Sequence, residues 1–169
     1  LKDFESAIQW LVASGLVHQI FRITKPNLPL GGYQDNVFKL YFVDVGLLTA
    51  KTGLDVSVLL AGNRLFTEFK GALTEQYVLQ QLLVSGLEPI FYWGLERAVA
   101  EVDFVVQHSS QIIPIEVKAE ENLKAKSLRS YYDKFKPDKV FRTSMSDYRK
   151  QDWLINLPLY ALANFRSLE

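Results

Sequence analysis

A chain of 169 residues with 49% apolar and 13% aromatic content has enough hydrophobic material for one or two packed domains and is not a disordered segment. It contains no cysteine, which excludes a disulfide framework and a thiolate zinc site. Basic and acidic residues balance to a formal net charge of zero, which argues against a generally basic nucleic-acid binder.

Phe4, Ala7, Ile8, Leu11 and Val12 recur at helical spacing over Asp3 to Ser14, and Gly15 is placed to end that helix. Leu16 to Ile23 reads as a strand. Thr24 to Gln34 is a loop punctuated by Pro26, Pro29, Gly31 and Gly32, and Val37 to Val43 is the returning strand. Helix, strand, Pro-rich turn and strand make residues 1–62 a winged-helix-like segment. A packing role for its helix outweighs base readout, because the exposed helix face carries few basic side chains. Asp44 reads as an N-cap for the short helix that follows, in preference to a metal ligand, and a second short helix covers Asp55 to Leu60.

From residue 63 the pattern changes. A long apolar-periodic helix runs from about Asn63 to Ser85, Pro89 to Trp93 is a short strand, and Gly94 to Val99 is a turn. Two strands follow. Lys126 to Phe135 is helical, Lys139 to Thr143 and Asp152 to Leu157 are extended, and Leu159 to Phe165 is a terminal helix. The order α-β-β-β-α-β makes residues 63–169 an α/β domain. There is no signal peptide and no apolar run long enough to span a bilayer, so a cytoplasmic location and no membrane partner are expected. The first residue is Leu1, which suggests a fragment whose missing part is N-terminal.

The chemistry concentrates in the two strands after the turn. Ala100 to Val106 and Ile113 to Ala119 are rich in Val and Ile and read as buried, yet they carry Glu101, Asp103, Glu116 and Lys118, which a core strand normally excludes. Glu116 and Lys118 are two apart and share a face of the sheet. If the strands pair as a hairpin through His108 to Gln111, Asp103 can join them, and clustered carboxylates are what a hard divalent cation requires. Glu101 either supplements the site or faces solvent at the strand start. The alternative is an ordinary same-face pair on a half-exposed strand with Asp103 at an edge. His18 and His108 are isolated, and no serine has a matching set of partners for nucleophilic chemistry.

Asp103, Glu116 and Lys118 resemble the Asp, then Glu-x-Lys, signature of the restriction-endonuclease-like superfamily, which usually places one more acid on the preceding helix. Glu75 is the matching candidate here, and Glu68, seven residues before it, shares its helix face. The resemblance implies a restriction-endonuclease-like mixed sheet flanked by helices. It also implies Mg²⁺ or Mn²⁺ held by Glu75, Asp103 and Glu116, with Lys118 orienting the nucleophile or neutralising the phosphate during phosphodiester hydrolysis of DNA or RNA.

More broadly, several segments look like the C-terminal domain of unknown function carried by many bacterial and archaeal AAA+ type ATPases. They are Lys25 to Leu30, Phe38 to Leu48, Gly71 to Glu75, Glu101 to Phe104, Pro114 to Lys118 and Lys126 to Leu128. That likeness implies an N-terminal ATPase module as a covalent partner. No Gly-x-x-x-x-Gly-Lys-Ser/Thr loop occurs in this chain, so ATP would bind only in the missing part. A fold of this kind can also lose its chemistry and serve as a noncatalytic nucleic-acid- or protein-binding module.

Charge is unevenly distributed. Residues 118–150 hold ten Lys or Arg against five Asp or Glu, whereas residues 1–117 hold eight against twelve. Lys124, Lys126, Arg129, Lys134, Lys136, Lys139 and Arg142 either converge into a phosphate-attracting face or form a solvated helix surface. Tyr131 and Tyr132 beside them are either base-stacking platforms or core anchors.

Overall fold

The computed structural model describes residues 2–55, 57–58, 67–95, 100–119 and 125–167. Helix α1 covers Lys2–Ala13 and ends where Gly15 adopts a φ of +71°, with Gly15 N–H donating to Val12 O and Leu16 N–H to Leu11 O. Only glycine reaches that conformation without strain. A Cβ at Gly15 would meet nothing within 4 Å, so Gly15→Ala is expected to destabilise through the backbone alone, by about 1 kcal/mol. Urea unfolding checks this, with an unchanged m-value and a lower midpoint.

Strand β1 (Val17–Ile23) leads through a 3₁₀ turn at Leu30–Tyr33 into β2 (Gln34–Phe42). Asp44 caps α2 (Val45–Thr52), its Oδ1 accepting from Leu47 N–H at 2.8 Å, which is the role its position in the sequence suggests. Helix α3 covers Thr67–Val84 and is followed by β3 (Ile90–Gly94), β4 (Glu101–His108) and β5 (Gln111–Val117). Helix α4 spans Lys126–Phe135, and β6 (Phe141–Ser144), β7 (Arg149–Lys150) and β8 (Ile155–Pro158) precede a 3₁₀ segment over Leu159–Ser167.

Among the described residues these strands form one mixed eight-stranded sheet, in the order β2-β1-β3-β4-β5-β6-β8-β7, flanked by helices. The β1–β2 hairpin of the first segment is continuous with this sheet. Phe21, Arg22 and Ile23 of β1 run parallel to Phe91, Tyr92 and Trp93 of β3. Strands β5, β6 and β8 are parallel neighbours, and β4 pairs antiparallel with both β3 and β5.

A core lies on each face. Val78, Leu79 and Leu82 of α3, with Leu162 and Phe165 of the terminal 3₁₀ segment, pack on Phe104, Val106, Ile113, Ile115 and Phe141. Leu128 and Tyr131 of α4, with Leu30, pack on the other face against Ile23, Phe91, Trp93, Val102 and Val105. Full burial of each such side chain contributes roughly 1.5–3 kcal/mol before entropy is counted.

The alternation of β4 slips once. Phe91 pairs with Val105 but Trp93 with Val102, so β4 carries one residue more than β3 between those rungs. Val102 therefore belongs to the α4 face, whereas Phe104 and Val106 belong to the α3 face. Asp103 sits at this bulge, a device that re-aims a side chain.

Several elements differ from the sequence-based expectations. Strand β7 has no apolar signature and exists because Arg149 and Lys150 pair with Asn156 and Ile155. Strands β6 and β8 begin at Phe141 and Ile155, two and three residues later than the extended pattern suggests. The terminal helix has 3₁₀ geometry. Residues 63–66 and the side chain of Glu68 in the long helix, residues 56 and 59–60 of the second short helix, residues 96–99 of the turn and Lys124 lie outside what is described.

Candidate functional site

Helix α3 is pinned over the sheet by its apolar stripe and by Gln76, which is buried and donates from Nε2 to Phe42 O at 2.6 Å. That anchoring places the neighbouring Glu75 above β2, where Tyr41 donates its hydroxyl to Glu75 Oε2 at 3.2 Å. Lys39, two residues before Tyr41 and on the same face, ion-pairs with Glu101 and stands 4.0 Å from Glu75 Oε2. Its ammonium lies 5.0 Å from the centre of the Tyr92 ring.

Asp103 and Glu116 meet at the end of the β4–β5 hairpin. The register pairs Phe104 with Ile115, and continuing it by one residue sets Asp103 across from Glu116. Asp103 Oδ2 accepts from Val117 N–H at 2.7 Å, and Lys118 Nζ donates to Glu116 Oε1 at 2.6 Å. The other oxygen of Glu116, Oε2, is buried with no hydrogen-bond partner among the described residues. Glu116 is 5% exposed, and Asp103 keeps a thin solvent-facing edge although protein surrounds it on nearly all sides.

Electrostatics follow from that enclosure. Burial pushes the Asp103 carboxyl well above the usual aspartate range; the charges of Glu116 and Glu75 push the same way, and the Val117 N–H and Lys39 oppose them. Burial also raises Glu116, against the pull of Lys118 and with the help of Glu75 and Glu101. Burial acts to lower Lys39, but its bond to Glu101 and the charges of Glu75, Glu101 and Asp103 prevail and raise it. Tyr41 is raised by burial and then by Glu75 and Asp103, so its hydroxyl stays a donor.

A buried polar row extends from Glu116 across the parallel strands. Arg142 is its register neighbour on β6 and is 2% exposed. Arg142 Nε donates to Asn156 Oδ1 at 2.9 Å, Ser144 Oγ donates to the same oxygen, and Asn156 Nδ2 donates to Asp147 O at 2.9 Å. Arg142 is thus interior, which removes it from the basic face that the sequence suggests. Arg129 and Lys136 pair with Asp133 on the exposed side of α4. Tyr131 is fully buried against Trp93 and is a core anchor, while the Tyr132 ring lies tilted against Trp153 with centroids 5.3 Å apart.

The model of a domain of unknown function, DUF4143, matches residues 70–162, more than half of the chain. The chain belongs to the DUF4143 family. A second model, also of a domain of unknown function, DUF8612, matches residues 1–57. No curated protein matches the chain.

The DUF4143 stretch contains Glu75, Glu101, Asp103, Glu116 and Lys118, whereas Lys39 and Tyr41 come from the stretch matched by DUF8612. Sequence reasoning from single strands misses those two. The signal that finds them is the one that marks Glu116 and Lys118, namely polar residues two apart in an apolar strand, here within Phe38 to Phe42. No helix among the described residues is long and apolar enough to cross a membrane.

The donor chemistry of the cluster suits a hard divalent cation: all its acids are carboxylates, and Glu116 Oε2 is buried without a partner among the described residues. The side chains are not fully gathered. Among the described residues no group of three acidic or histidine side chains is set to hold a metal ion; Glu75 accepts from Tyr41 and Glu101 from Lys39.

Proposed function

We propose that this DUF4143 protein performs metal-dependent phosphodiester hydrolysis on DNA or RNA, and that it is the C-terminal part of an AAA+ type ATPase whose absent module binds ATP. The observation that carries the first part is the placing of Asp103 across from Glu116, two enclosed carboxylates of which Glu116 raises the proton affinity of Asp103, while one Glu116 oxygen has no partner among the described residues. The second part rests on the likeness of the motifs to domains attached to such ATPases.

Asp103 and Glu116 would hold Mg²⁺ or Mn²⁺, with Glu75 joining once it leaves Tyr41. The bound ion would supply Lewis-acid stabilisation of the charge that develops on the scissile phosphate. Lys118 keeps the Glu116 carboxylate oriented and offers an ammonium to the attacking water or to a phosphate oxygen. Tyr41 holds Glu75 through its hydroxyl in the metal-free protein.

The first test is calorimetric titration of Mg²⁺ and Mn²⁺ into the wild-type chain, beside cleavage assays on DNA and RNA. Saturable binding with metal-dependent cleavage is expected; nucleic-acid binding with no cleavage at any metal concentration overturns the enzymatic reading. The second reading is a noncatalytic nucleic-acid- or protein-binding module directing the ATPase. It is favoured by the ion pairs that already occupy Glu101 and Glu116.

A further inference from the structure

Lys39 reaches the carboxylate cluster from outside the hairpin that builds it, and its surroundings are those of a bound cation. Its ammonium contacts Glu101, lies 4.0 Å from Glu75 Oε2 and rests over the Tyr92 ring at 5.0 Å. The side chain is only 26% exposed, in a sheet where a lysine aimed at the core face needs compensation. Tyr41, two residues on, binds the second oxygen-bearing partner, Glu75, so a single strand engages both the helix acid and the strand acid. Among the described residues, Glu75, Glu101, Asp103 and Glu116 are otherwise touched by one ammonium, that of Lys118 on Glu116.

We propose that Lys39 is the resident counter-ion of the carboxylate cluster, a positioning residue that holds Glu101 and Glu75 in the metal-free protein and that a divalent cation must displace or outcompete. The inference rests on the metal-binding reading given above. It assigns to the strand pair of residues 1–57 a direct part in setting how tightly the DUF4143 acids take a cation. With Lys39 in place the acids are neutralised from within, so a divalent ion binds at the cost of a broken ion pair. Without it, the same acids repel one another until a metal arrives.

The test is calorimetric titration of Mn²⁺ into wild type, Lys39→Met and Lys39→Arg, with thermal melts of each protein in EDTA and in saturating Mn²⁺. Lys39→Met is expected to bind Mn²⁺ about tenfold tighter, since a unit charge is removed from the edge of the site, and to gain more from Mn²⁺ in its melting temperature than wild type. Lys39→Arg, which keeps the charge, is expected to bind as wild type does. Equal affinity in wild type and Lys39→Met overturns the counter-ion role while the metal site stands. Absence of Mn²⁺ binding in both overturns the metal site and the competition together. If Lys39→Met does not fold in EDTA, adding Asp103→Asn removes part of the charge that Lys39 offsets and restores folding; a double variant that stays unfolded also overturns the role.

Discussion

Asp103→Asn is expected to abolish Mn²⁺ binding and to lower metal-dependent cleavage by at least about 10²–10³-fold, the loss typical when a charge-stabilising group is removed from a site. The same variant is expected to be more stable than wild type in EDTA. Both effects have one cause. The Asp103 carboxylate is enclosed, faces Glu116 and feels Glu75, so its ionised form is disfavoured in the folded chain. Asparagine keeps an oxygen to accept the Val117 N–H without carrying the charge.

The pH dependence follows with a definite sign. Because the folded-state value of Asp103 lies above its usual 3.8, the stability it contributes is fully present below that value and is lost as pH rises through the raised one. Glu116 acts in the same direction from its usual 4.5. Metal-free wild type should therefore fall increasingly below Asp103→Asn as pH rises from acid towards neutral. The gap should reach about 1 kcal/mol or more, a few degrees in melting temperature. Saturating Mn²⁺ should reverse the order at neutral pH. Melting curves in EDTA and in Mn²⁺ at several pH values decide it, and a gap that does not vary with pH would contradict the electrostatic account.

Trp93→Ala is the second large effect, and it falls on stability. Trp93 is 1% exposed and meets the rings of Tyr131 and Phe135 edge-on, at 5.2 and 5.7 Å. These contacts clamp α4 to the sheet, directly beside the rung Trp93–Val102 that precedes the bulge. Truncation leaves a cavity among large rings that cannot close over it, so the expected loss is about 3–5 kcal/mol. The melting temperature should drop by about 10 °C or more. Trp93→Phe should cost much less, since the indole Nε1 has no hydrogen-bond partner among the described residues to lose. Tyr160→Ala, at a side chain 76% exposed, should leave the melt nearly unchanged. Differential scanning calorimetry of the three variants provides the measurement.

Local signals carried much of the architecture. Gly15 ends α1, Asp44 caps α2, and the apolar rhythm of Leu128 and Tyr131 marks α4 with the bounds Lys126–Phe135. Each depends on residues within a turn or two. The acids of the β4–β5 hairpin were legible for the same reason, as polar residues in strands otherwise built to be buried. What was not legible depends on distant partners. Lys39 meets Glu101 across 62 positions of sequence, and Tyr41 meets Glu75 across 34. The extra residue in β4 exists only relative to β3, and β7 exists only because β8 is there to pair with it. Arg142 looked like surface because arginine usually is; its burial is sustained by Asn156, a partner that no spacing rule supplies.

The slip in β4 divides that strand into two independently phased parts. Beyond it, Phe104 and Val106 keep step with the hydrophobic core, while before it Glu101 keeps step with Lys39. Removing the extra residue, Asp103, would set Val102 next to Phe104 in regular alternation, so Val102 would still face α4 and Glu101 would still face Lys39. Deletion of Asp103 is therefore predicted to yield a folded protein that keeps the Lys39–Glu101 pair and lacks only the enclosed aspartate, whereas deletion of Val105 would strike the core itself.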